Sequence, residues 1–211
     1  MGDVKPYKVL VADDFLMSRQ LFENVIENSD KYTLVGSYAS AAEAVEYVKN
    51  RYVDLVIMDI VMSEGINGLS ASGKIKDIRP ETKILLVTSM PEVSYIERAR
   101  ELGADSFWYK EVQEQPILEV MDRTMAGESV YPDSVPPVSL GVALSTDFSE
   151  REIQVLRELT DGSSNKEIAR KLGMTERTVK MHIGSMISKT GLRSRLELAV
   201  KARTVGFVIP D

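Results

Sequence analysis

The chain has 211 residues, 44% hydrophobic and 27% charged, with no cysteine and a net charge of -6. That length allows one large or two small globular domains, and the missing cysteines exclude a disulfide scaffold, a thiolate zinc site and a cysteine nucleophile. No apolar run approaches the ~20 residues of a membrane span, and Met-Gly-Asp-Val-Lys leads straight into a strand-like run rather than a secretory signal, so a cytoplasmic protein without membrane contact is expected.

The charge is unevenly distributed. Residues 149–211 hold 12 Lys and Arg against 8 Asp and Glu, a net of +4, which leaves -10 for residues 1–148. Opposite signs in two segments point to two domains with different partners.

In the acidic half, Tyr7–Ala12 is a short apolar run ending in Asp13-Asp14. Leu16–Asn28 carries apolar residues at helical spacing, Thr33–Tyr38 reads as a strand, and Ala41–Arg51 reads as a helix. Leu55–Asp59 is a continuous apolar run ending in one carboxylate and followed by Ser63, Gly65, Asn67 and Gly68, as a strand covered on both faces would be. Leu69–Ile78 is helical and stopped by Pro80. Lys83–Thr88 is another buried strand, Val93–Leu102 a helix stopped at Gly103, Ser106–Tyr109 a fifth strand ending at Lys110, and Pro116–Ala126 a fifth helix. Five strands alternating with five helices predict a flavodoxin-like (βα)5 domain, its doubly wound parallel sheet in the order 2-1-3-4-5.

In that order the strand ends bring Asp13, Asp14, Asp59, Thr88 and Lys110 to one edge of the sheet. Taken singly, each has a plainer role: Asp13-Asp14 as a helix cap, Asp59 as a turn cap, Thr88 as a strand end, Lys110 as a surface lysine. Together, three carboxylates repel one another and call for a cation; oxygen donors favour a hard ion, Mg²⁺ first. A carboxylate can attack phosphorus, and Asp59, on the central strand, is the best-placed nucleophile. Lys110 and Thr88 would stabilise the phosphoryl oxygens.

Residues 7–127 resemble the receiver domain of two-component response regulators. The resemblance rests on Asp13-Asp14, on Met58-Asp59-Ile60-Val61-Met62, on Thr88, and on Gly103-Ala104-Asp105-Ser106-Phe107-Trp108-Tyr109-Lys110. It implies Asp59 as phosphoacceptor, a metal held by Asp13, Asp14, Asp59 and the Val61 backbone carbonyl, and Thr88 with Phe107 as the switch pair. Two features depart from the family: Ser63 stands where proline is usual, and the loop to Gly68 is one residue longer.

Glu128–Asp147 has no Lys or Arg and contains Pro132, Pro136 and Pro137. It reads as a partly extended interdomain tether over 128–148, with packing of the apolar run Val138–Leu144 as the alternative.

In the basic half, Ser149 and Glu152 form a capping box opening a helix closed by Asp161-Gly162. Ser164 caps Asn165–Leu172, Thr175 caps Glu176–Lys189, and Ser194 precedes Arg195–Thr204. Four short helices with a glycine turn before the third match a helix-turn-helix. On the third helix Arg177, Lys180, Met181 and Gly184 share one side and Val179, Ile183, Met186 and Ile187 the other, which suits the major groove; Lys166, Lys189 and Arg195 are placed to reach phosphates. This segment resembles the LuxR-type helix-turn-helix, in Ser164-Asn165-Lys166-Glu167-Ile168-Ala169 and Arg177-Thr178-Val179-Lys180-Met181-His182. The likeness implies DNA contacts from Asn165, Lys166, Arg177, Thr178, Lys180, Met181, His182 and Lys189, with Gly184 standing where some members carry a basic base-reading residue.

The two resemblances make the chain similar to the NarL/FixJ group: a receiver over 1–127, a linker over 128–148 and a DNA-binding domain over 149–211. They imply a non-enzymatic regulator phosphorylated at Asp59 by a sensor histidine kinase in the presence of Mg²⁺, with slow autophosphorylation from small donors and autodephosphorylation. Binding to double-stranded DNA as a homodimer is expected, with RNA polymerase as a further partner. The alternative is a DNA-binding regulator with an atypical receiver that is never phosphorylated. A phosphatase with an aspartyl intermediate ranks lower, because Val61 stands where that class has a second aspartate.

Overall fold

The structure is a computed structural model of the chain, and it describes residues 5–63, 65–90, 92, 95–110, 116–133 and 135–208. They form two compact units, one drawn from the described residues within 5–89 and 95–133 and the other from residues 90, 92 and 135–208.

The first unit alternates strand and helix. Its strands are β1 (Tyr7–Ala12), β2 (Tyr32–Tyr38), β3 (Leu55–Asp59), β4 (Lys83–Thr88) and β5 (Ser106–Tyr109); its helices are α1 (Leu16–Glu27), α2 (Ala41–Asn50), α3 (Gly68–Ile78), α4 (Tyr95–Glu101) and α5 (Ile117–Met125). All neighbouring strands pair in parallel, in the order β2-β1-β3-β4-β5. Every residue of β3 is buried, as the unbroken Leu-Val-Ile-Met run requires when helices cover both faces. One core cluster includes Val9, Val11, Leu55, Ile57, Leu85 and Val87 on the strands with Phe22 and Ile26 from α1 and Val120 and Met121 from α5. The expected first turn of the fourth helix, at Val93, lies outside the described residues.

The second unit holds a two-stranded antiparallel hairpin, β6 (Ser139–Leu140) with β7 (Ala143–Leu144), a 3-10 turn at Ser145–Asp147, and four helices: α6 (Glu150–Thr160), α7 (Asn165–Lys171), α8 (Glu176–Thr190) and α9 (Arg195–Thr204). Each helix opens on its expected cap. The side chains of Ser149, Ser164, Thr175 and Ser194 accept from the third helical N–H, and Ser149 with Glu152 and Ser164 with Glu167 complete capping boxes. Gly191 closes α8 in the left-handed conformation, which costs a residue without Cβ little.

The stretch over 128–148 is packed at both ends, as the alternative of a packed Val138–Leu144 run has it for its second half. Val130 belongs to the core of the first unit; Val138, Leu140, Ala143 and Phe148 belong to the core of the second, with Ile153, Leu156, Ile168, Val179 and Met186. The hairpin is held by its glycine. Gly141 has φ +65°, and a Cβ there would lie 2.1 Å from the Thr190 carbonyl oxygen, so the turn lies directly on the end of α8, where Val142 N–H donates to that oxygen at 3.0 Å.

Candidate functional site

The strand register builds the first site. Ala12 stands opposite Met58, so Asp13 and Asp59 emerge at one height. Asp59 stands opposite Val87, which places Thr88 one step further along. Thr88 stands opposite Tyr109, and Lys110 follows, its N–H donating to the Thr88 carbonyl at 2.9 Å. Parallel strands end their apolar runs together, and this edge is where open α/β sheets bind ligands.

Carboxylate oxygens of Asp13, Asp14 and Asp59 lie within 4.8 Å of one another. Asp13 is fully buried and Asp59 is 5% exposed. Lys110 Nζ lies 2.6 Å from Asp13 Oδ2 and 3.3 Å from Asp59 Oδ1. Burial pushes the Asp59 carboxyl up to about 7; the Lys110 ammonium opposes that rise, and Asp13 and Asp14 add to it. One lysine therefore leaves three carboxylates under-neutralised, and an all-oxygen cluster of this size suits a hard divalent cation. Val61, the expected backbone ligand, lies two residues past Asp59, in the loop that follows β3.

Several contacts hold this edge that the sequence did not disclose. Asp13 accepts from Phe15 N–H at 2.9 Å and from the Ser18 hydroxyl, and its backbone carbonyl accepts from Arg19 at 2.7 Å. The N-cap of α1 is Phe15, without a side-chain cap bond, so the acidic pair does not cap that helix. Ser63 N–H donates to Asp14 Oδ2 at 2.7 Å. Proline, usual there in receivers, has no N–H to donate. The departure in sequence thus becomes a bond to a candidate metal ligand. Gly68 lies against the strand end: a Cβ there would sit 1.9 Å from the Asp59 carbonyl oxygen. Phe107 is 2% exposed and Thr88 is fully buried.

The second site is on α8. Arg177, Lys180, Met181, Gly184 and Ser188 are exposed at helical spacing, while Val179, Ile183, Met186 and Thr190 are buried on the opposite face. Met181 is 63% exposed. No atom lies within 4 Å of where a Gly184 Cβ would stand. Lys166, Arg177 and Lys180 are exposed and make no ion pair among the described residues. Thr178 shares its hydroxyl with the cap, Thr175, at 2.8 Å. His182 is half-buried. Asn165 accepts from Arg195 at 3.1 Å, and Arg195 also donates to the Ser163 carbonyl at 3.1 Å. Lys189 is engaged inward: its Nζ lies 2.7 Å from Glu152 Oε2 and 2.8 Å from the Asp147 carbonyl oxygen. Ser185 donates to Glu152 Oε1 at 2.7 Å. Burial alone would raise the Glu152 carboxyl, but Lys189, the Ser149 N–H and the Ser185 hydroxyl bring it down to about 2. Glu152, 4% exposed, thus ties α8 to α6.

A doubly wound sheet with this acidic edge, in one chain with a four-helix unit presenting a cationic helix face, defines a receiver joined to a helix-turn-helix. The comparisons agree. Residues 9–122 match the response regulator receiver domain, and residues 146–202 match the bacterial regulatory proteins of the luxR family. Among curated proteins, the chain is 29% identical over 209 residues to the nitrate/nitrite response regulator protein NarL of Escherichia coli K12, covering 95% of this chain and 96% of that one. It is 31% identical over 200 residues to the response regulator protein VraR of Staphylococcus aureus Mu3, covering 92% and 95%. Its fold is similar to that of RcsB from Salmonella enterica serovar Typhimurium, solved bound to a promoter with a phosphomimetic, with a TM-score of 0.64 at 18% identity over 95% of this chain and 100% of that one.

The chain belongs to the two-component response regulators of the NarL/FixJ type and is a phosphorylation-controlled, DNA-binding regulator of transcription. That family is one of DNA-binding regulators, generally without enzymatic activity of their own. No helix among the described residues is long and apolar enough to cross a membrane.

Proposed function

We propose that Asp59 accepts a phosphoryl group from a sensor histidine kinase and that this controls DNA binding by the second unit. The observation that carries the reading is the meeting of Asp13, Asp14 and Lys110 with the buried Asp59 at the carboxyl edge of the sheet. An ionised Asp59 oxygen attacks phosphorus, the P–N bond to the kinase imidazole breaks, and the leaving electron pair returns to that imidazole. Lys110 holds the charge gathering on the phosphoryl oxygens, and the Thr88 hydroxyl donates to one of them. Asp13, Asp14, Asp59 and the Val61 carbonyl are the residues that would hold Mg²⁺, which supplies further neutralisation of the phosphoryl oxygens when bound. Water later attacks the phosphorus, the bond to the Asp59 oxygen breaks, inorganic phosphate leaves and the carboxylate is restored, a slow autodephosphorylation; small phosphoryl donors load the site by the same forward attack of Asp59, their own oxygen leaving with the electron pair.

Thr88 and Phe107 then act as the switch pair. The second unit binds double-stranded DNA through α8, Arg177, Lys180 and Met181 reaching base edges in the major groove and Lys166, Asn165, Thr178 and His182 setting register. Lys189 serves this interface by anchoring α8 to Glu152. The active form is a homodimer on paired half-sites, in the cytoplasm, with RNA polymerase as a further partner. The test is loading by acetyl phosphate with Mg²⁺, read as the mass of the intact protein: wild type gains one phosphoryl group and Asp59→Asn gains none. A second reading, a receiver that is never phosphorylated, draws on the Ser63 N–H, which takes one oxygen of Asp14. A wild type that stays unloaded with Mg²⁺ and donor would favour it.

A further inference from the structure

Tyr131 stands in the stretch expected to be a tether, yet it is built into the switch region. Beyond α5 the chain turns at Gly127 and comes alongside β5. Phe107 N–H donates to the Val130 carbonyl at 2.8 Å. Val130 N–H donates to the Ser106 hydroxyl at 3.1 Å, and that hydroxyl lies 2.7 Å from the Thr124 hydroxyl of α5. Val130 is buried. This pairing delivers the Tyr131 ring onto Phe107, with centroids 6.3 Å apart and planes 30° apart. Tyr109 meets Phe107 edge-on at 5.0 Å. The Tyr131 hydroxyl donates to the Ala104 carbonyl at 2.7 Å, and the Arg100 guanidinium lies 4.5 Å from the ring centroid. A stacked ring, a hydrogen bond and a cation–π contact converge on one side chain. A change of Phe107 rotamer would remove the ring that Tyr131 stacks on, while the Ala104 and Arg100 contacts hold Tyr131 in place.

We propose that Tyr131 is a positioning residue of the switch: it holds the Phe107 ring and, through the Val130 pairing with β5, fastens the start of the linker to it, so that the linker is held in one state of Phe107 and released in the other. The proposal rests on the reading of Asp59 as phosphoacceptor and Phe107 as the moving aromatic. A purely structural Tyr131 would lower stability when removed but would leave the response to phosphorylation intact. The two roles therefore separate by experiment.

Hydrogen exchange of the full-length chain, followed by mass spectrometry with and without acetyl phosphate and Mg²⁺, reads the Phe107 amide and residues 128–133, while intact mass reads loading at Asp59. In the wild type, loading is expected to speed exchange at both places by about tenfold. Tyr131→Leu is expected to load normally yet exchange fast whether or not donor is present. Tyr131→Phe keeps the stacked ring and is expected to respond to donor as the wild type does. Arg100→Ala, at an exposed position, should raise resting exchange a few-fold and keeps the proposal testable if Tyr131→Leu does not fold. A Tyr131→Leu protein that loads and still shows the wild-type change would overturn the proposal, as would a wild type that loads with no change at these residues. A wild type that does not load would overturn the phosphoacceptor reading and, with it, this proposal.

Discussion

Glu152→Gln removes one negative charge from the contact that fixes α8 on α6, with almost no change in shape. In the folded chain this carboxyl is held at about 2, against an ordinary value of 4.5. At ~1.4 kcal/mol for each tenfold change in proton affinity, that preference is worth about 3 kcal/mol at neutral pH. The Lys189 side chain is 35% exposed, so solvent screens part of it, and a loss of about 2 kcal/mol is expected. The folded carboxyl ionises more readily than the unfolded one. Its contribution is therefore complete above pH ~4.5 and is lost as the pH falls toward 2. Urea unfolding of the full-length chain checks this. With an m value of about 1 kcal/mol/M for a unit of this size, the substitution should lower the midpoint of the helical signal of the second unit by about 2 M at pH 7. Trp108, the only tryptophan, lies in β5 and reports the first unit separately. The gap between wild type and variant should close as the pH is lowered from 5 toward 2. An equal gap at pH 7 and pH 2.5, or no gap at pH 7, would refute the reasoning.

Three further outcomes are expected. Gly68→Ala should destabilise the first unit by about 2–4 kcal/mol, since its Cβ would fall 1.9 Å from the Asp59 carbonyl oxygen and the backbone at the phosphoacceptor must shift; thermal unfolding followed by Trp108 emission measures it. With Asp59 raised to about 7, about half a proton per chain should be released on Mg²⁺ binding at pH 7 and almost none at pH 9, read with an indicator dye in weak buffer; Asp59→Asn should abolish the release. Arg177→Ala should weaken DNA binding while the dependence of log affinity on log salt changes by no more than about one. Discrimination should be lost at one base position, as a base-edge contact requires, whereas a loss uniform across sequences would make Arg177 a phosphate contact instead.

The legible parts were those where one local rule decides. An apolar strand covered on both faces cannot hide its ends, so β1, β3, β4 and β5 were placed to the residue, and with them the height at which Asp13, Asp59, Thr88 and Lys110 meet. Caps were equally plain, because Ser149, Ser164, Thr175 and Ser194 each satisfy a helix N–H three residues on. What stayed hidden depends on partners distant in sequence. Lys189 reads as a cation on a recognition helix, and nothing local shows that Glu152, 37 residues away, turns it inward. The hairpin at Ser139–Leu144 has two-residue strands, too short for alternation to show, and its reason for existing is the end of α8. Tyr131 sits among prolines in a segment without charge periodicity; only the return of the chain to β5 makes it part of the switch. The Ser63 departure was visible as a change from the family, but its bond to Asp14 needed the loop geometry.

Phosphorylation of Asp59 is what controls DNA binding through α8. The most direct measurement is DNA binding by the full-length chain, with and without Mg²⁺ and acetyl phosphate, for the wild type and for Asp59→Ala. The account predicts that the donor tightens binding in the wild type alone. Strong binding that ignores both donor and substitution would leave the basic unit as a DNA reader and contradict the acidic unit as its switch.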